Sequence, residues 1–389
     1  MDLRFSVEEQ AFRDELRAFI RDNLPTDIRD KMRLGYGAEK EDTIRWQRIL
    51  NEKHWAAYLW PKEWGGPGWS PIQRMIFLEE NQLAQAPDMQ VFNITMIGPV
   101  LIQFGTDEQK KRFLPRAANV DDWWCQGFSE PGAGSDLAAL KTAAKRVGDD
   151  YVVNGQKIWT STAQHADWIF LLVRTDPEAP KHKGISYLLV DMKTPGITVR
   201  PLVQMTGASG FNEVFFDDVR VPKRNLVGEK NQGWQVAITT LMFERRGAGA
   251  PGTGQIRELA RLAKRIPRNG GTAWDDSSVR QKLAEFYSEG EALKFTGFRQ
   301  LTRRLKGLPP GPEGSMMKLV GTELALKVSL FAMELLGPYS QMEPDGPFAI
   351  ENGKWLMKML AVRGGTIAAG TNQIQHNIIG ERVLGLPKG

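Results

Sequence analysis

Four stretches of this chain gather side chains that can do chemistry. The first, CQGFSEPGAGSDLAALKT (125–142), strings the hydroxyls of Ser129 and Ser135 along a loop whose glycines, Gly132 and Gly134, let backbone come close to a ligand. The same letters also spell a Ser/Gly/Pro turn between strands. The second, GQKIWTSTAQHADW (155–168), sets Trp159 beside Thr160 and Ser161, a flat aromatic next to two hydroxyls at a strand end. Trp159 is one of 12 tryptophans, and packing in a core is an equal use for it. The third, TTLMFERRGAGAPGTG (239–254), puts Glu244 behind Leu241-Met242-Phe243, where burial would raise the carboxyl pKa towards that of a general base. A Glu-Arg pair on an exposed helix turn has the same spelling. The fourth, GGTIAAGTNQIQHNIIGERVLG (364–385), runs a loosened Gly370-Thr371 turn into a helix start where Asn372 and Gln373 offer amides to a polar ligand. The four histidines show no metal-ligand spacing, and no metal is expected.

Composition narrows the class. A chain of 389 residues can bury a large core, and 41% hydrophobic with 25% charged residues is ordinary for a globular protein. No apolar run reaches membrane-spanning length, and the start, MDLRFSVEEQAFRDELRAF, mixes acids and bases as neither a secretory signal nor a transit peptide does. The single cysteine, Cys125, excludes an intramolecular disulfide; a reducing, cytoplasmic location is expected. The net charge of +5 is interleaved rather than blocked, and no nucleic-acid motif or basic stripe is present.

The elements that must position these residues follow from periodicity. Ser6 and Glu9 have capping-box spacing, and Phe12, Leu16 and Phe19 then recur at helical period until Pro25; Thr106 and Gln109 repeat the signal. From about Trp123 the chain changes to short strand-like runs, YVVNGQKIW, WIFLLVRT, ISYLLVDM, ITVRPL and NEVFFDDVRV. Asn154-Gly155 predicts a hairpin turn, and the close strand spacing predicts an antiparallel barrel or sandwich ended by Pro222. Helices resume at Gly233, with long ones predicted over 277–304 and 315–336 on either side of a PPGPEGS loop. No dinucleotide βαβ fingerprint is present.

These strings, in this order, resemble the acyl-CoA dehydrogenase family over essentially the whole chain. The resemblance implies an α+β fold: an N-terminal helical domain (1–122), a middle antiparallel β-barrel domain (123–230) and a C-terminal helical bundle (231–389). It implies FAD-dependent α,β-dehydrogenation of an acyl-CoA to the 2-enoyl-CoA, with electrons passed to electron-transfer flavoprotein. An oxidase passing them to oxygen, or a subunit with little activity alone, is the alternative. Carried over by position, Gln126, Phe128, Ser129, Gly134 and Ser135 line flavin or the thioester end of CoA. Trp159, Thr160 and Ser161 form the second flavin segment, and Thr371 and Gln373 the third. Ser135, Arg245 and Gly370 meet substrate. The family usually places its catalytic glutamate where this chain has Ala369, which keeps only the backbone N–H that would polarise the thioester oxygen. Glu381, twelve residues further on the same predicted helix and so about 18 Å away, is too far to substitute. A minority of members are similar to this chain in a Glu-Arg pair matching Glu244-Arg245, and in them that glutamate is the base. The small residues that follow, Gly247, Ala248, Gly249, Ala250, Gly252 and Gly254, would widen the acyl pocket or merely loosen a helix.

The chain departs from the family in two places. No Arg-x-x-Phe-Gly segment occurs in RIPRNGGTAWDDSSVRQKLAEF (265–286), and ELLGPYS (334–340) has Glu334, Pro338 and Ser340 where a Gln-x-x-Gly-Gly-x-Gly loop would hold pyrophosphate. Proline lacks the N–H that phosphate uses, and a glutamate repels it. In the family these segments come from a neighbouring subunit. An α2β2 heterotetramer with a second dehydrogenase chain is therefore expected, the alternative being a homotetramer in which Arg265, Arg268 or Arg280 reaches the pyrophosphate. Within the family the chain looks most like the large subunit of the heteromeric bacterial enzyme acting on pimeloyl-CoA; bacterial members acting on CoA thioesters of steroid side chains are also similar.

Overall fold

The computed structural model describes residues 4–247, 253–308, 311 and 313–387, with backbone alone at 244–247. Two compact units result, one from the chain up to Arg33 with Gly37–Gly247, the other from Leu34–Tyr36 and the chain beyond Gly247. No helix among the described residues is long and apolar enough to cross a membrane.

The first unit opens on helices with locally encoded starts. Before α1 (Val7–Asn23), Ser6 Oγ accepts from Glu9 N at 3.2 Å while the Glu9 carboxylate accepts from Ser6 N at 2.8 Å, the reciprocal cap its spacing predicts. Helices α2 (Thr26–Leu34), α3 (Lys40–Glu52), α4 (Pro71–Leu83) and α5 (Gly98–Phe104) follow, and α6 (Asp107–Ala118) repeats the box with Thr106 and Gln109. Leading into α5 is a buried π-helical run, Phe92–Ile97, whose start is capped by Gln90 Oε1, accepting from Phe92 N at 2.7 Å and Asn93 N at 3.2 Å.

The strands are β1 (Trp124–Gly127), β2 (Ala143–Val147), β3 (Asp150–Lys157), β4 (Trp168–Arg174), β5 (Ile185–Asp191), β6 (Ile197–Leu202) and β7 (Phe211–Pro222). They form one curled sheet in the order β1-β4-β2-β3-β7-β6, with β5 also on β4. Pairing is antiparallel except that β1, and one residue of β2, run parallel to β4. The chain between Gly127 and Trp168 is long enough for the crossover that a parallel pair needs.

The expected hairpin at Asn154-Gly155 is not there. Strand β3 runs through both residues, and Gly155, at φ +148°, marks a bulge opposite β7. A Cβ on Gly155 would lie 2.7 Å from Thr142 Cα, so a close backbone approach requires the glycine. The turn falls at Gly148-Asp149, between the paired Val147 and Asp150, with Gly148 at φ +63°. A bulge and a tight turn place the same demand on glycine, so the dipeptide alone does not separate them.

Alternate residues of β4 and β5 enter different cores. Trp168, Phe170, Leu172, Ile185, Tyr187 and Leu189 join the N-terminal helices, while Ile169, Leu171, Val173, Leu188 and Val190 pack against the opposite side of the curled sheet. Burial on both faces explains why these strands read as unbroken apolar runs. Helix α7 (Gly233–Gly247) closes the unit, burying Val236 and Ala237 in the first of these cores.

The second unit holds α8 (Gly254–Ala263), a small hairpin of β8 (Pro267–Arg268) and β9 (Gly271–Thr272), α9 (Ser277–Leu305), α10 (Glu313–Leu336), α11 (Lys354–Gly365) and α12 (Asn372–Ile378), which runs on as a π-helical turn, Ile379–Val383. The long helices match the predicted spans to within two residues at each end. A strap from the N-terminal region docks here, with Tyr36 Oη donating to Asp345 Oδ1 at 3.1 Å.

Candidate active site

Two loops at the ends of β1 and β3 carry the first unit's candidate residues. Gln126 is half-buried in β1; Phe128 is buried, edge-on to Phe170 and Tyr187. Ser129 is half-buried and its carbonyl accepts from Ile158 N at 2.9 Å, tying the loops together. Gly134 and Ser135 are exposed. Nothing lies within 4 Å of a Cβ built on Gly132 or Gly134, and neither has positive φ. The fold itself therefore makes no demand for glycine there, whereas a ligand pressed against the loop would. Trp159 is 60% exposed at φ +58°, its ring edge-on to Phe211. Thr160 is wholly buried, its backbone paired both ways with Asn212 (3.0 and 3.1 Å), and its hydroxyl has no partner among the described residues. Ser161 is half-buried.

Beneath the loops lies a charged pair that no sequence signal singled out. The Lys157 ammonium, with no exposed surface, donates to Glu130 Oε1 at 2.8 Å and to Phe128 O at 3.0 Å. Glu130 also accepts from Lys141 N and Thr142 N, at 2.7 and 2.9 Å. Burial alone would raise the Glu130 carboxyl, but the Lys157 charge and these donors hold it below its ordinary value. Burial pulls Lys157 down to about 8 against the attraction of Glu130. Three donors converge on the carboxylate and keep it ionised. Both residues stand inside the quoted strings, but only burial reveals that they meet.

Helix α7 is held to the sheet by Thr240, whose hydroxyl donates to Val236 O at 3.0 Å and lies 3.5 Å from the buried Tyr187 Oη. Glu244 and Arg245 fall in the last turns of α7, and their side chains lie outside the described residues, as do Ala248, Gly249, Ala250 and Gly252 altogether. Cys125 is fully buried, and burial pushes its thiol pKa up, so it offers no nucleophile.

In the second unit the Gly370 turn is rigidly built. Ala369 stands at φ +54° and Gly370 at φ +88°. Thr371 Oγ1 caps α12 by accepting from Ile374 N at 3.2 Å, and Gly370 O accepts from Gln375 Nε2 at 3.2 Å. The buried Asn372 side chain accepts from Lys318 Nζ (2.8 Å) and Thr322 Oγ1 (3.1 Å) and donates to Glu323 Oε1 (2.6 Å). Among the described residues nothing accepts from the Ala369 N–H. Gln373 is exposed. Ala369 precedes the N-cap and is not on one helix with Glu381, which lies in the π-helical turn; the left-handed backbone at 369–370 breaks the expected continuity. The arginines named for the pyrophosphate already have partners. Arg265 pairs with Glu351 at 2.7 Å, Arg268 with Asp276 at 3.3 Å, and Arg280 donates to Trp274 O and Asp275 O at 2.8 and 2.9 Å.

An exposed tryptophan on strained backbone, a loop kept free of side chains and neighbouring serine hydroxyls fit the isoalloxazine end of FAD. Among the described residues no group of three acidic, histidine or cysteine side chains could hold a metal ion.

Three family models cover the chain: the acyl-CoA dehydrogenase N-terminal domain over residues 6–121, the middle domain over 125–219 and the C-terminal domain over 231–384. The acyl-CoA dehydrogenase IpdE1 of Mycobacterium tuberculosis is 40% identical over 98% of both chains. Among solved structures, a chain of the Tcur3481-Tcur3483 steroid ACAD is 34% identical over the whole of both chains with a TM-score of 0.89. A chain of the ChsE4-ChsE5 complex from Mycobacterium tuberculosis, likewise covered in full, is 35% identical with a TM-score of 0.85. Helices, curled sheet and helices thus occur in the order that the three models require, and the chain belongs to the acyl-CoA dehydrogenase family of FAD-dependent oxidoreductases.

Proposed function

We propose that this chain is the base-carrying subunit of a heteromeric acyl-CoA dehydrogenase, desaturating the CoA thioester of a bulky acid of the steroid side-chain class and passing electrons to electron-transfer flavoprotein. The observation that carries the reading is the full-length likeness to chains of two complexes that each pair different subunits, one of them titled a steroid ACAD. The engagement of Arg265 and Arg268 with carboxylates of their own chain, and of Arg280 with two backbone carbonyls, supports it, because each would have to give up these bonds to reach the pyrophosphate.

When bound, FAD supplies the acceptor for the hydride that leaves the β-carbon. The chain's own residues do the rest. Glu244 takes the α-proton as general base. The Ala369 N–H donates to the thioester oxygen and makes that proton more acidic. Gln126, Phe128, Ser129, Gly134 and Ser135 would hold the flavin from the first loop and Trp159 and Ser161 from the second, with Thr160 buried behind them and Thr371 and Gln373 at the turn. Ser135, Arg245 and Gly370 orient the substrate. The three-part division at 122/123 and 230/231 belongs to the same reading.

The test is turnover by the chain alone and co-expressed with a second dehydrogenase subunit, using straight, branched, dicarboxylic and ring-bearing acyl-CoAs. Anaerobic bleaching of the flavin by ring-bearing thioesters, in the two-chain preparation only, is the expected result. Equal turnover by the chain alone would overturn the heteromeric part, and no bleaching by any thioester the catalytic part. Oxygen consumption separates an oxidase from a dehydrogenase.

A further inference from the structure

Lys157 and Glu130 lie between the two loops assigned to flavin without belonging to the ligand-facing set. Their contacts lash three stretches together: Lys157 to the carbonyl of Phe128 and the carboxylate of Glu130, and Glu130 to the N–H groups of Lys141 and Thr142. Next to the pair, Ile158 N donates to Ser129 O at 2.9 Å. Arg174 holds the far end of the first loop, donating to Ala138 O at 2.6 Å.

Such a pair is a poor device for stability alone. Removing two charges from water is costly, and apolar replacements of similar volume are often neutral or stabilising. What a buried, fully bonded pair does supply is one unique arrangement of the segments that it joins. Here those segments end in strained backbone: Trp159, two residues beyond Lys157, and Thr162 both stand at φ +58°. Strain of that kind persists only where the surroundings over-determine it.

We infer that Lys157–Glu130 is a positioning pair for the flavin site, holding residues 128–135 and 157–161 in the mutual register in which both loops can meet one ring. The inference rests on the flavin reading of these loops. Neither residue touches the reacting atoms in this role; each acts through Phe128, Ser129 and Trp159.

The test compares Lys157→Met and Glu130→Gln with Val153→Ala, a core change on the same strand that lowers stability without touching the pair. All are made in the assembly that binds FAD. The readouts are the FAD dissociation constant, the flavin midpoint potential and the melting temperature. Positioning predicts that both pair variants weaken FAD binding by at least about tenfold, as small displacements of a binding constellation do, and shift the potential. Val153→Ala should leave both properties near wild type at an equal or larger loss in melting temperature. FAD binding and potential in the pair variants no different from Val153→Ala would overturn the inference. If Lys157→Met does not fold, Glu130→Gln decides on the same criterion, since it keeps the side chain's shape while removing the charge and turning one acceptor oxygen into a donor. A wild type that binds no FAD in any assembly would fail the flavin reading and the pair with it. Failure of the pair alone is distinct, because there wild type and variants bind FAD equally.

Discussion

At the scale of single residues, chemistry depends on which carboxylate takes the α-proton once Ala369 has replaced the usual one. Glu244→Gln should bind acyl-CoA with little change and lose anaerobic flavin bleaching by several decades, the signature of an interaction made only in the transition state; bleaching at the wild-type rate would remove Glu244 from the mechanism. If the small residues after it shape the acyl pocket, Ala248→Leu should reduce turnover of the largest accepted thioester more than that of butanoyl-CoA, and equal losses would assign the run to packing. Glu130 makes a prediction about pH. Its folded pKa lies below the ordinary 4.5, so its stabilising contribution is complete above that value and is lost as pH falls through the lowered one. Urea midpoints of wild type and Glu130→Gln should therefore differ most near neutrality and converge as the solution is acidified. A gap that stays constant down to about pH 3 would mean that the carboxylate is not held low.

At the scale of elements, backbone geometry gives a paired prediction. A methyl group at Gly155 would meet Thr142 backbone at 2.7 Å, whereas at Gly148 it would meet nothing within 4 Å. Gly148→Ala carries only the cost of a left-handed alanine, about 1 kcal/mol, and Gly155→Ala should cost clearly more. Equal chemical-denaturation losses would mean that β2 can shift away from the bulge. The caps at Ser6 and Thr106 were legible because donor and acceptor lie three residues apart, and the long helices because their periodicity is local. Asn154-Gly155 spells a turn because the demand for positive φ is local, while the opposing strand that makes Gly155 a bulge is not. The parallel partner of β1 and the meeting of Lys157 with Glu130 are likewise settled by contacts distant in sequence. The glycines and serines of the loops after β1 and β3 stand out in the sequence as a set, but the buried hydroxyl of Thr160 does not, since its neighbours Trp159 and Ser161 give no sign of which way the chain turns.

At the scale of the whole molecule, assembly is the open quantity. Expressed alone, the chain should hold well under one FAD per subunit; co-purified with a second dehydrogenase chain it should hold one per copy, giving two per α2β2 particle by mass in solution and flavin absorbance. A homotetramer carrying one FAD per subunit would refute this. The double burial of β4 and β5 bears on how such proteins can diversify. Family models divide the chain at residues near 121 and 219, yet Trp168, Phe170 and Tyr187 share one interior with the N-terminal helices and with Val236 of α7. The middle segment is thus a unit of ancestry without being a unit of folding. Excised, it would present one apolar face of β4 and β5 to water and should aggregate. Chimeras between relatives should express when the crossover falls near residue 247 and fail when it falls near 122, because only the first leaves every side of that shared interior inherited from one parent.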